Sequence, residues 1–260
     1  MSSMPVTQAV ILAAGRGSRM HALTEERPKC LVELHGRPIL AWTLDALRAN
    51  GIDEVLLIGG WQHDKLQEWA QELRVNLGWS GSNMVRSLQL AQDWLLRAPT
   101  LMVYGDGAYG ASAIARALGG PSGDWVVPVD TLWRQLWERR FPDPLTDAES
   151  LRRNGPQLIS IGERATHMDD VQGQFMGLLR TTPAGWGRAS HWLGQWEAER
   201  GQAFVDRLDM TSLLQALLTA GERMACVEVG GGWVEIDSAA DLAAANKGLT
   251  EPGGAHDFRC

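Results

Sequence analysis

A chain of 260 residues with 45% hydrophobic and 21% charged residues has the apolar content for one large α/β domain. Its net charge of -7 argues against a nucleic-acid or membrane-surface partner, because neutralising a polyphosphate surface needs a basic face. The three cysteines, Cys30, Cys226 and Cys260, lack metal-ligand spacing and form no disulfide framework, and no apolar run is long enough to span a membrane, so a soluble cytoplasmic protein is expected.

The run QAVILAA (8–14) ends in Gly15 and predicts a buried parallel strand entering a glycine-rich turn. PILAWTLDALRANG (38–51) predicts a helix opened by Pro38 and stopped by Gly51, and DEVLLIGG (53–60) the next buried strand. A polar helix near 63–73 follows, then a helix from about Asn83 to Leu96, the strand TLMVYGD (100–106), a helix around 110–118 and the strand WVVPVD (125–130). This alternation predicts a Rossmann-like, three-layer α/β fold with a mostly parallel central sheet. Ligands of such sheets bind at the carboxyl ends of the strands, so Gly15, Gly59, Asp106 and Asp130 should border one crevice. Residues 131–172 carry many charges and several prolines without a long apolar run, and read as an insertion flanking that crevice. GQFMGLLRTT (173–182) resumes a strand, and DMTSLLQALLTAG (209–221) is a helix capped by Asp209. MACVEVGGGWVEIDSAADLAAANKG closes a single domain over 1–248 with a strand, a glycine turn, a short strand and a helix capped by Ser238. The tail, 249–260, is expected to fray.

LAAGRGSRM (12–20) sets Gly15 and Gly17 between a strand and a helix, where backbone N–H groups can approach phosphate oxygens with no Cβ in the way. The pattern is neither that of a P-loop nor that of a dinucleotide fold. Leu12, Ala13, Ala14, Gly15, Arg16 and Gly17 would form the cradle, while Arg16, Arg19 and Lys29 supply cations for a triphosphate.

Followed by RPKCLVELHGRPIL, this stretch resembles the nucleotidyltransferases of MobA-like and sugar-phosphate type, which join an NTP to a phosphorylated acceptor with loss of pyrophosphate. In order from about residue 7 to residue 246, PKCL, GWSGSNMVRSL, VDTLWRQLWERR, PLTDAES, GQFMGLLR, DMTSLL and GWVEIDSAADL resemble the cytidylyltransferases that activate phosphocholine or 2-aminoethylphosphonate. The resemblance implies CTP, a small phosphate or phosphonate acceptor, and Mg²⁺, with Lys29 and Arg19 catalytic; a homodimer is compatible with it. One departure from the family pattern is YGDGAYG, where glycines flank Asp106 in place of a Ser before it and a larger apolar residue after it.

Asp106 ends a buried strand, and Glu235 and Asp237 alternate onto one face of a short strand, so the three offer hard oxygen ligands to Mg²⁺. A turn-forming Asp and a solvated edge strand are the plainer alternatives. Ser82, Asn83 and Ser87 stand where the resemblance places the pyrimidine edge, although Ser82 or Asn83 would serve equally as a helix cap. Trp133 and Trp137, four apart on one helical face, with Asp130, Asp147 and Glu149 nearby, would suit a cationic amine through cation–π attraction and charge pairing. Packing of the insertion would also explain the two tryptophans. The six histidines form no cluster. A sugar-1-phosphate nucleotidyltransferase and a non-catalytic nucleotide-binding module would share the same loop.

Overall fold

The computed structural model describes residues 5–249 and 251–259. In chain order the elements are β1 (Gln8–Ala13), a hairpin of β2 (Glu33–Leu34) and β3 (Arg37–Pro38), α1 (Ile39–Ala49), β4 (Glu54–Gly59), β5 (Glu72–Val75), α2 (Met84–Gln89) and α3 (Gln92–Arg97). Next come β6 (Thr100–Tyr104), β7 (Gly107–Tyr109), α4 (Ala111–Leu118), β8 (Trp125–Asp130), α5 (Trp133–Arg140), β9 (Glu149–Asn154) and β10 (Gln157–Arg164). The rest are β11 (Gln174–Phe175), β12 (Leu178–Thr181), α6 (Pro183–Arg200), α7 (Gln202–Asp206), α8 (Met210–Thr219), β13 (Ala225–Val229), β14 (Trp233–Glu235) and α9 (Ala239–Ala244).

Ten strands form one sheet in the order β5-β4-β1-β6-β12-β8-β13-β10-β9, with β11 joined to β8. Strands β5, β4, β1 and β6 are parallel neighbours, as are β8 and β13, and β12 enters antiparallel between the two groups. The long parallel strands are apolar on both faces because helices cover both. Ala9, Ile11 and Ala13 of β1 face the core under α1 and α4, whereas Val10 and Leu12 face the core under α2, α3, α6 and α8. This is the three-layer α/β architecture expected. No helix among the described residues is long and apolar enough to cross a membrane.

Several boundaries differ from the sequence reading. The polar segment near 63–73 is a 3₁₀ turn, His63–Trp69, followed by the edge strand β5. It lacks the apolar period of a helix, and Arg74 pins the edge by pairing with Glu72 and Asp93. The helix expected from Asn83 to Leu96 is two, α2 and α3, and the strand over 173–182 is broken between β11 and β12. Helix α6 has no counterpart in the sequence outline, because its tryptophans, glycines and arginines give almost no amphipathic stripe; its start signals are Thr182 as N-cap and Pro183 in the first turn.

Segment 131–172 is no appendage. Its hairpin β9–β10 extends the central sheet through β13, and α5 lines the crevice. The tail also departs from expectation: within 251–259, His256 and Phe258 are buried, Gly232 N donates to Ala255 O at 2.7 Å, and the Phe258 ring stands edge-on to Trp42 at 5.3 Å.

Asp130 is not an acceptor ligand. Its carboxylate is wholly buried and accepts N–H bonds from Leu132 (2.8 Å), Gly231 (3.1 Å) and the Trp233 indole (2.9 Å). It therefore ties the end of β8 to the turn between β13 and β14. Asp130→Ala orphans two buried donors and one half-buried donor and is expected to destabilise the fold by about 3 kcal/mol or more. Urea unfolding within 0.5 kcal/mol of wild type, on the usual scale of surface substitutions, would contradict this clamp.

Candidate active site

Strands β7 and β14 form a small antiparallel ribbon at the carboxyl end of β6, with Glu235 opposite Gly107. Ile236 N donates to Asp106 O at 3.1 Å, so backbone hydrogen bonds place the segments around Asp106 and Asp237 side by side. One oxygen from each of Asp106, Glu235 and Asp237 falls within 4.8 Å of the others, the grouping expected from the sequence. The glycine after Asp106 has a steric cause: a Cβ on Gly107 would lie 2.5 Å from the Tyr109 ring, whose hydroxyl donates to Met176 O at 2.8 Å. Tyr109 thus fills the space that a larger residue at 107 would need.

Three carboxylates this close repel one another, and cations from distant segments answer them. Lys29 Nζ bonds Asp106 at 2.8 Å and Asp237 at 2.6 Å. Burial alone would lower its pKa, but the two carboxylates outweigh burial and raise it. The Lys29 stem passes beneath Gly17, which adopts φ +67°, and a Cβ there would meet Lys29 Cδ at 2.8 Å. Both the left-handed backbone and the close approach therefore require glycine at 17.

Arg140, whose side chain is fully buried, reaches Glu235 (3.2 Å), Asp237 (3.3 Å) and Asp241 (2.9 Å). Burial and the neighbouring Asp237 push the Glu235 carboxyl upward, while Arg140 pulls it back. For Asp237 burial acts upward too, yet Lys29, Arg19 and Arg140 together hold it below its ordinary value. Arg19, 65% exposed, lies 3.3 Å from Asp237.

Beside this cluster, a cavity of about 130 Å³ is lined by Leu12, Ala14, Gly15, Trp79, Ser82, Asn83, Met84, Ser87, Tyr104 and Asp106. It contains most of the expected nucleotide residues. Ala13 is excluded because alternation on β1 turns it to the opposite core. Arg16 does not line the cavity; it lies over the Trp61 ring at 4.9 Å, and Trp61 packs at 5.5 Å against Trp79, which does line it. Asn83 is the N-cap of α2, accepting from Met84 N at 2.8 Å, and also faces the cavity.

A second cavity, about 230 Å³, shares Met84 and Tyr104 with the first. Asp147, Glu149, Glu235 and Asp237 line it with Trp137, Gln174, Phe175 and Thr211. Burial raises both Asp147 and Glu149; Arg140 offsets part of the first shift and a hydrogen bond with Thr211 part of the second. Trp137 is placed as expected, but its ring already lies under Arg140 at 5.1 Å and its indole N–H donates to Asp147 at 3.1 Å. Trp133 is as buried as Trp137 and packs edge-on against it, but does not line the cavity.

The sequence reading missed Arg140, Asn76, Trp79, Tyr104, Gln174 and Thr211. Gln174 and Thr211 stand inside GQFMGLLR and DMTSLL, whose order carried the family resemblance. Arg140, at the end of a charged run, carries no local mark of burial.

Comparison with known proteins shows the family. Residues 9–150, more than half of the chain, match the MobA-like NTP transferase domain. The chain is 30% identical over 249 residues to a CTP:phosphoglutamine cytidylyltransferase of Campylobacter jejuni, covering 90% of this chain and 97% of that protein. A choline-phosphate cytidylyltransferase of Haemophilus influenzae is 36% identical over 90 residues, 33% of this chain and 39% of that protein. In fold, the inositol-1-phosphate CTP transferase from T. maritima superposes with a TM-score of 0.73 at 17% identity, over 96% of this chain and 98% of that one. A CTP:phosphocholine cytidylyltransferase from Streptococcus pneumoniae gives 0.67 at 19% identity, over 94% and 99%. With its glycine cradle, Lys29 and the carboxylates of Asp106, Glu235 and Asp237 in one crevice, the chain belongs to the MobA-like NTP transferase domain family and is a nucleotidyltransferase.

Proposed function

We propose that the protein is a cytidylyltransferase that transfers CMP from CTP to a small phosphate or phosphonate acceptor bearing an ammonium group, and releases pyrophosphate. The observation that carries this reading is the acidic cavity, walled by Asp147 and Glu149, opening beside the Lys29 cluster and sharing a wall with the nucleotide cavity. An ammonium finds paired charge there, whereas a neutral sugar leaves those carboxylates without a cation. The C. jejuni and H. influenzae relatives, a CTP:phosphoglutamine and a choline-phosphate cytidylyltransferase, support the same class of acceptor.

The chemistry needs little from the protein beyond placement and charge. The acceptor oxygen is already ionised at neutral pH, so no general base is required. That oxygen bonds to the α-phosphorus as the bond to the bridging β-oxygen breaks, and the electron pair leaves with pyrophosphate. The 14–17 loop offers backbone N–H groups to the triphosphate, Lys29 meets charge at the α-phosphate, and Arg16 and Arg19 hold the β and γ groups. Asp106, Glu235 and Asp237 form the hard-oxygen set that suits Mg²⁺ and would hold it. When bound, the ion supplies Lewis-acid charge to the phosphate oxygens.

Lys29→Ala should lower turnover with CTP by about 100-fold or more, the scale of losing a preorganised electrostatic donor; near-normal turnover would remove its assigned role. Asp237→Asn should raise the magnesium concentration needed for half-maximal rate by about tenfold or more, and an unchanged magnesium titration would take it out of the metal set. Pyrophosphate release with CTP should appear with phosphocholine, 2-aminoethylphosphonate or phosphoglutamine and not with glucose-1-phosphate. The reverse pattern would overturn the acceptor class. With the active acceptor, Glu149→Gln should raise its KM about tenfold while leaving that for CTP unchanged.

A further inference from the structure

Asn76 sits directly behind the nucleotide cavity, 6% exposed, and all of its side-chain hydrogen bonds point one way. Gly78 N donates to its Oδ1 at 2.9 Å, which identifies the oxygen end of the amide. Nδ2 then faces two serines, donating to Ser82 Oγ at 3.0 Å and to Ser87 Oγ at 2.9 Å. Ser82 passes its own proton to Gly78 O at 2.9 Å. Ser87 is 3% exposed and lines the cavity, and among the described residues no protein group accepts its hydroxyl proton.

From this arrangement we infer that Asn76 is a positioning residue for base selection: by donating to Ser87 it makes that hydroxyl a hydrogen-bond donor toward the nucleotide. The inference rests on the reading of this cavity as the pyrimidine site. Cytosine and uracil differ in polarity on one edge. Cytosine N3 is an acceptor, while uracil carries N3–H. With one lone pair engaged by Asn76 and no protein acceptor for its proton, the Ser87 hydroxyl complements the first; toward the second it can only accept on its remaining lone pair, which leaves its own buried proton without a partner. A buried donor left without an acceptor costs more than a good hydrogen bond gains, so this hydroxyl favours the base that accepts from it. Asn76 touches no nucleotide in this scheme and acts through Ser87.

The test is the affinity of the full-length protein for CTP and UTP, measured by isothermal titration calorimetry in magnesium buffer, with thermal melts to verify folding. Wild type should prefer CTP by about tenfold or more. Asn76→Asp replaces the donor with an acceptor, turns the Ser87 proton toward the carboxylate and presents a lone pair to the base, so the CTP:UTP ratio should fall to near one or invert. Ser87→Ala, which keeps the Asn76 scaffold, should weaken CTP about tenfold and UTP little. A CTP preference that survives either folded variant overturns the inference and leaves the cytidylyltransferase reading intact. Wild type that binds neither pyrimidine nucleotide, or binds ATP more tightly, overturns that reading itself.

Discussion

Crowding of Asp106, Glu235 and Asp237 is the constraint on which the rest of the site depends. Their oxygens lie within 4.8 Å of one another in a half-buried setting, where like charges repel far more than in water. Lys29 answers from the turn Lys29–Leu31, with its stem packed under Gly17, and Arg140 from α5. Each buried cation therefore acts as a tether. The first draws the phosphate cradle onto the strand ends; the second draws segment 131–172 over the crevice, with Trp137 forming a wall of the acidic cavity. Deleting one partner would leave the others as uncompensated buried charge, which is the costly way to break such a cluster.

The two cavities differ in chemistry in a way that orients both ligands. The nucleotide side is lined by hydroxyls, amides and aromatic rings around Trp79, Ser87 and Tyr104, whereas the second side is acidic. A phosphoryl group entering the acidic side would be repelled by Asp147 and Glu149 and drawn toward Lys29 and Arg19. An ammonium would be drawn the opposite way. The bifunctional acceptor proposed above would thus be aligned by its own dipole, with its nucleophilic oxygen toward the shared wall at Met84 and Tyr104. Alignment of this kind turns binding energy into proximity.

The fold was largely legible because its central strands are buried on both faces and read as continuous apolar runs ending in glycine or aspartate. The carboxylate cluster was legible in part: Asp106 follows such a run, and Glu235 ends the short strand β14, with Asp237 two residues beyond it. What escaped were features that depend on partners far away in sequence. Asp130 looks like any crevice carboxylate until Gly231 and Trp233 are seen to donate to it. Arg140 reads as one charge in a solvated run, yet three carboxylates from around β14 bury it. Trp133 and Trp137 share a helical face, as their spacing requires, and both are buried in one core, but only Trp137 also reaches the cavity. The tail was misjudged because one aromatic, Phe258, outweighs its glycine-rich composition once Trp42 offers it an edge.

The ribbon of β7 and β14 joins segments separated by most of the chain. The nucleotide cavity is complete by Asp106, whereas Glu235 and Asp237, and the turn at Gly232 that Ala255 braces, come more than a hundred residues later. Asn83 N donates to Asp206 O at 2.6 Å and Tyr104 N to Gly177 O at 2.9 Å, so segments made later also hold the walls of that cavity. The cavity and the acidic triad facing Lys29 therefore take shape together, as parts of one folding unit.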